Sequence, residues 1–85
     1  MKSSNLSVRV RKLARQAQSL SITLNGFPKQ ITENMTIAEF LRRLELDSQL
    51  VAVELNLVIV PKSEYSSRRL FSGDRIEIVH FVGGG

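Results

Sequence analysis

From residue 21 onward a single stretch carries the period of a helix, and short segments in the period of a strand flank it on both sides. Thr36-Ile37-Ala38-Glu39 has the form of a capping box. In that motif the Thr36 hydroxyl accepts from the Glu39 amide while the Glu39 carboxylate reaches back to the Thr36 amide. Ile37, Phe40, Leu41 and Leu44 then fall at i, i+3, i+4 and i+7, one apolar stripe, with Arg42 and Arg43 off it on a solvated surface. Such a stripe is a core face and not a cofactor box. One helix cannot bury its stripe alone, so the strands around it must supply a sheet for it to lie on.

The strand signals come in a definite order. Residues 21–24 place Ile22 and Leu24 on one side, and Asn25-Gly26 follows as a hairpin turn whose two positions tolerate positive φ. A second strand is expected over residues 29–32, with Phe27-Pro28 as a hydrophobic anchor between turn and strand. After the helix, residues 50–55 read as a central strand with Val51, Val53 and Leu55 on one face and Leu50, Ala52 and Glu54 on the other. Asn56-Leu57 turns into a short fourth strand over residues 58–60, which Pro61 ends. Residues 62–69 are polar and irregular, with Tyr65 tucked against the core. Arg68-Arg69 is either a solvated pair or a contact to a partner's acidic surface. Leu70-Phe71 re-enters the core, and Ser72-Gly73-Asp74 turns the chain into its last strand.

That last strand, IEIVHFV, runs without a break into Gly83, Gly84 and Gly85. Ile76 and Ile78 alternate with Glu77 and Val79, the pattern of a half-buried strand. Glycines have no side chain to pack and the most conformational entropy to lose, so a flexible tail tipped by a carboxylate is expected beyond the sheet. A frayed end or a linker would look the same in isolation; the hydrophobic strand feeding the glycines is what sets this ending apart.

Eighty-five residues make one small domain, without room for a catalytic cleft between two domains, which disfavours an enzyme acting alone. With no cysteine and one histidine, His80, neither a disulfide framework, a metal site nor a nucleophilic dyad is expected. No apolar run approaches the roughly 18 residues of a membrane span, so a soluble, cytoplasmic protein is expected. The net charge of +4 is unevenly divided: residues 1–20 hold five basic and no acidic side chains, and residues 21–85 hold seven basic and eight acidic ones. A nucleic-acid footprint on the folded part therefore has no compositional support. Residues 1–20 are expected to form a poorly ordered basic extension and residues 21–85 the folded domain. Leu6, Val10, Leu13, Ala17 and Leu20 also allow a basic amphipathic helix, and the acid-poor, Arg- and Ser-rich start is similar to an organelle transit peptide.

Two strands, one helix, two short strands and a final strand is an α+β pattern. With its strand-to-glycine ending, the chain over residues 21–85 resembles the ThiS family of sulfur carriers in thiamin biosynthesis. The resemblance implies a ubiquitin-like β-grasp fold: a mixed sheet with one packed helix, first and last strands parallel in its middle, and a flexible glycine tail. It implies that a ThiF-type adenylating enzyme activates the Gly85 carboxylate with ATP. Sulfur from a cysteine desulfurase then makes a thiocarboxylate, which the thiazole synthase ThiG consumes. The chain itself would be a protein co-substrate with no catalytic residue, metal or cofactor of its own.

Without Cβ atoms Gly83 and Gly84 can thread a narrow partner channel, although the third glycine exceeds the Gly-Gly of the wider superfamily and leaves Gly83 to strand or tail. Partner docking is assigned to the face opposite Ile76 and Ile78, where Val79 and Phe81 sit by alternation, and to Val82 beside them. Phe81 has the alternative of a second small core under the loop of residues 61–69. Other functions of the same shape are the small subunit of molybdopterin synthase and a ubiquitin-like modifier. A different class is a β-grasp binding module held to RNA or a membrane by the basic start.

Overall fold

The structure is a computed structural model and describes residues 19–32 and 34–81. The expectations for the N-terminal extension up to residue 18, for Val82 and for Gly83, Gly84 and Gly85 lie outside the described residues. Among the described residues the domain has five strands and one helix: β1 (Leu20–Leu24), β2 (Phe27–Ile31), α1 (Ile37–Arg43), β3 (Val51–Leu55), β4 (Val58–Val60) and β5 (Arg75–His80). Short 3-10 turns at Ser48–Leu50 and Lys62–Glu64 join them.

The strands form one sheet in the order β2-β1-β5-β3-β4. β1 and β5 run parallel, with Thr23 beside Arg75 and Leu24 beside Ile76, and every other neighbouring pair is antiparallel. This is the mixed β-grasp sheet expected from the resemblance, with the first and last strands side by side in its interior. β3 is an interior strand as the apolar run predicts, between β5 and β4.

α1 covers one face. Its Ile37, Phe40 and Leu41 pack with Ile22, Ile31, Val51, Val53, Leu55, Val60, Ile76 and Ile78 from the sheet in one buried cluster. The alternation read from the sequence decides which side of each strand enters it: Ile76 and Ile78 are buried, Glu77 and Val79 exposed. Full burial of each such side chain stabilises by about 1.5–3 kcal/mol, and this term must outweigh the ordering entropy of a small chain.

A seven-residue helix is too short to persist without its termini satisfied. The capping box is present as predicted: the Glu39 amide donates to Thr36 Oγ1 at 3.1 Å and the Thr36 amide to Glu39 Oε1 at 2.8 Å. The remaining first-turn amides, Ile37 and Ala38, donate to the carbonyls of Arg68 and Tyr65. The polar loop therefore completes the helix cap. At the other end Leu46 and Glu45 donate to the carbonyls of Leu41 and Arg42, with Glu45 at φ 59°, the left-handed exit of a Schellman ending.

Three local expectations are corrected. β2 starts directly after the turn, at Phe27, and includes Pro28 as an edge-strand residue opposite Thr23. Pro28 lies in a non-hydrogen-bonded pair at the rim of the sheet, where its missing N–H costs no ladder bond. Phe27 is exposed and so is no hydrophobic anchor. Leu70 enters the core, but Phe71 points out, because the turn that bonds its amide to Asp74 Oδ2 has already begun there.

Candidate functional site

The candidate site is the end of β5, the last described part of the chain before Gly83, Gly84 and Gly85 in sequence. Two different flanks hold this end. On one side β3 pairs with β5 up to Val51 and His80, and the Phe81 amide extends the ladder by donating to the Leu50 carbonyl at 2.8 Å. On the other side β1 stops at its hairpin turn, with Asn25 at φ 49° and Gly26 at φ 86°. The last backbone bond from that side is the Asn25 amide to the Ile76 carbonyl, 2.9 Å. Beyond it the Asn25 side chain takes over: its Oδ1 accepts the Ile78 amide at 2.7 Å and its Nδ2 donates to the Ile78 carbonyl at 3.2 Å. The end of β5 is thus fixed by backbone on one flank and by one carboxamide on the other.

The other end of β5 is fastened similarly. Asn56, in the turn between β3 and β4, accepts the Arg75 amide on Oδ1 at 2.9 Å and donates from Nδ2 to Asp74 Oδ1 at 3.1 Å. Sequence reasoning assigned both asparagines only to their turns. Each turn places a side chain next to a strand that is more than fifteen residues away in sequence, which local patterns do not disclose.

Val79 and Phe81 stand on the sheet face opposite α1 and are 60% and 50% exposed. The Lys62 ammonium lies 5.7 Å from the centre of the Phe81 ring, and Lys62 Nζ also donates to the Val51 carbonyl at 2.9 Å. Phe81 is therefore not enclosed in a second core under the loop; it keeps an open face and a cation at the other. Lys62 is a neighbour of the tail root that the sequence did not single out. Val82, Gly83, Gly84 and Gly85, the other residues assigned to docking, threading and modification, lie outside the described residues.

The remaining candidates divide. Arg68 forms an ion pair with Glu64 at 2.6 Å and Arg69 donates to the Asn34 carbonyl at 3.0 Å, so both brace the loop that caps α1. Tyr65 is buried as expected; desolvation raises its pKa above the ordinary 10, with a hydrogen bond to the Val53 backbone acting the other way. His80 is exposed at the tail root, and among the described residues no group of three or more His, Cys, Asp or Glu side chains could hold a metal ion. Among the described residues no helix is long and apolar enough to cross a membrane.

Comparison with known proteins follows the same outline. The model of the ThiS family matches residues 22–85. Over 66 residues the chain is 44% identical to a thiazole synthase of Paramagnetospirillum magneticum, a match covering 78% of this chain and 20% of that protein. The chain thus spans about a fifth of the length of that relative. Over 50 residues it is 46% identical to the sulfur carrier protein ThiS of Bacillus subtilis, covering 59% of this chain and 76% of that one. The crystal structure of the thiamine biosynthesis protein (ThiS) of Geobacter metallireducens superposes with a TM-score of 0.68 at 29% identity, over 78% of this chain and all of that chain.

Proposed function

The chain belongs to the ThiS family, and we propose that it works as that family's sulfur carrier in thiamine biosynthesis, with Gly85 as the residue that carries the sulfur. The observation that bears most weight is the extent of the family match, which begins in β1 and runs through the glycines to residue 85. The fold supports the reading by fastening β5 on both flanks, as far as Ile78 on one side and Phe81 on the other.

A carboxylate resists nucleophiles because its charge repels them and oxide leaves poorly, so it must first be activated. In the proposed sequence a ThiF-type adenylating enzyme directs a Gly85 carboxylate oxygen onto the α-phosphate of ATP, and pyrophosphate leaves. A sulfur nucleophile then attacks the acyl carbon, AMP leaves, and a thiocarboxylate remains. A cysteine desulfurase supplies that sulfur as a persulfide, in which case a thiol must cleave the intermediate acyl disulfide. The thiazole synthase consumes the product. Matches to thiazole synthases from Paramagnetospirillum magneticum and Magnetococcus marinus favour that acceptor over molybdopterin synthase or protein lysines.

In this reading the chain is a co-substrate and not an enzyme, it binds no cofactor of its own, and it works in the cytoplasm. Gly83 and Gly84 give the tail a narrow cross-section, while Val79, Phe81 and Val82 supply the contact that brings a partner to it. The test is intact mass after incubation with ATP, a ThiF-type enzyme and a sulfide source. A gain equal to one oxygen replaced by sulfur is expected, and an unchanged mass with an enzyme that loads another ThiS protein would refute the reading.

A further inference from the structure

The sheet face opposite α1 carries a charge arrangement that the fold does not require. Glu54 and Glu77 are direct cross-strand partners in β3 and β5. Both lie on the outer face, because Val53, Leu55, Ile76 and Ile78 take the core side of the same strands. Side chains directly opposite in an antiparallel pair have Cβ atoms about 5 Å apart, and like charges at that position are destabilising. Among the described residues neither carboxylate takes part in an ion pair or a side-chain hydrogen bond. Arg75, on the same face two residues before Glu77, pairs with neither.

Toward β4 and toward the end of β5 the surroundings of the pair are apolar, whereas the row on the other side holds Asn56 and Arg75. Ile59 lies across from Glu54 in register and is 72% exposed, and in the next row Ala52 faces Val79. Phe81 and Leu50 follow one row further on, joined by the Phe81 amide. The fold gains nothing by exposing these groups, since its core is on the other side of the sheet. Like charges directly opposite each other at the border of an exposed apolar field, with no ion pair to either, cost the free protein stability and disfavour nucleic acid and anionic lipid as partners.

We propose that Glu54 and Glu77 are the charged centre of the docking face, and that the partner set against it presents a guanidinium or ammonium group within an apolar rim. The inference rests on the reading of Val79 and Phe81 as docking residues and adds the chemistry of the surface they meet. It commits to a protein partner, the thiazole synthase, because relatives of this chain occur as a fifth of a thiazole synthase polypeptide, which brings a carrier-like segment and that enzyme together. A bridging cation between the two carboxylates replaces repulsion with two charge-assisted hydrogen bonds, so the pair contributes to the complex what it costs the free chain.

The experiment compares the full chain with the Glu54→Gln/Glu77→Gln variant in titrations against a thiazole synthase at low and high salt, and in thermal melts. Glutamine keeps the shape and removes the charge. The variant is expected to melt a few degrees higher, to bind about tenfold or more weakly, and to lose most of the salt dependence. Equal affinity for the two proteins would overturn the proposal, and so would a lower melting temperature for the variant. Val79→Asp separates the two levels: if it weakens binding and the glutamine variant does not, the docking reading stands and the acidic centre falls. If neither variant changes affinity, or the unmodified chain does not bind, both fall. If removal of residues 1–18 strengthens binding and abolishes the difference between the chain and the glutamine variant, the basic segment is the occupant and the proposal is overturned.

Discussion

The carboxamide of Asn25 takes the place of a peptide group beside Ile78, accepting its amide at 2.7 Å and donating to its carbonyl at 3.2 Å across 53 residues of sequence. It extends the parallel ladder by one step after β1 has turned away. Asn25→Gly tolerates the positive φ and removes the two side-chain bonds, while its relief of left-handed strain and its added unfolded-state entropy act in opposite directions. At about 0.5–1.5 kcal/mol for each neutral hydrogen bond, the variant should lose about 1–3 kcal/mol in urea unfolding, and the Ile78 amide should lose protection from hydrogen exchange. An unchanged midpoint with an unchanged Ile78 exchange rate would show that the clamp contributes nothing.

Much of this architecture could be read from the sequence, and the parts that could not share a cause. Thr36 and Glu39 announced the helix cap, Asn25-Gly26 the first turn, and the alternation of Ile76 to Val79 the two faces of β5. All are relations within a few residues. The second bonds of Asn25 and Asn56, the carbonyls of Tyr65 and Arg68 that finish the α1 cap, and the Lys62 ammonium over Phe81 join segments distant in sequence. Periodicity carries no information about such pairs. The exposure of Phe27 and Phe71 was missed for the converse reason: an aromatic residue beside a turn reads as an anchor until the turn geometry shows which way it points.

Leu57 occupies a left-handed conformation, φ 71°, in the turn between β3 and β4, with its side chain 73% exposed. An L-residue there carries about 1–2 kcal/mol of steric cost, and glycine removes it at an entropic cost of up to about 1 kcal/mol. Leu57→Gly should therefore stabilise the domain by about 0.5–1 kcal/mol, measured by chemical denaturation. A net loss would mean that the exposed leucine makes a contact that offsets its strain.

Hydrogen bonds from the Thr36 backbone amide, and then from its hydroxyl, hold the Glu39 carboxyl below its ordinary pKa of 4.5, with Arg69 and Arg42 helping and desolvation opposing. Because the folded value is the lower one, the stabilisation is complete above pH 4.5 and is lost as the pH falls through the folded value. Thermal melts between pH 7 and pH 3 should show the advantage of the native chain over Glu39→Gln shrinking only below about pH 4.5. A constant difference across that range would contradict the assignment. Thr36→Ala, which removes the cap hydroxyl, should cost about 1 kcal/mol at neutral pH.

Ile78 in β5 and Phe81 just beyond its end should respond in opposite ways to the same substitution. Ile78 is buried against α1 and Phe81 is half exposed on the other face. Ile78→Asp should unfold the domain, because a buried unpaired carboxylate costs several kcal/mol of a margin that is itself about 5–15 kcal/mol. Phe81→Asp should keep the far-UV circular dichroism of the fold and weaken binding to the adenylating enzyme. Loss of the fold in Phe81→Asp would place that ring in the core and overturn the docking assignment.

The most direct test of the carrier reading changes the position of the terminal carboxylate and nothing else. One alanine added after Gly85 moves that carboxylate one residue beyond the point where an adenylating enzyme aligns it with the α-phosphate of ATP, and such a displacement removes the advantage of positioned reactants. Pyrophosphate exchange and intact mass, run on the native and extended chains with the same enzyme and sulfide source, report both half-reactions. The account predicts exchange and a thiocarboxylate mass on the native chain and neither on the extended one, with melting temperatures unchanged. A thiocarboxylate on the intact alanine-extended chain, with no trimmed species in the spectrum, would contradict it.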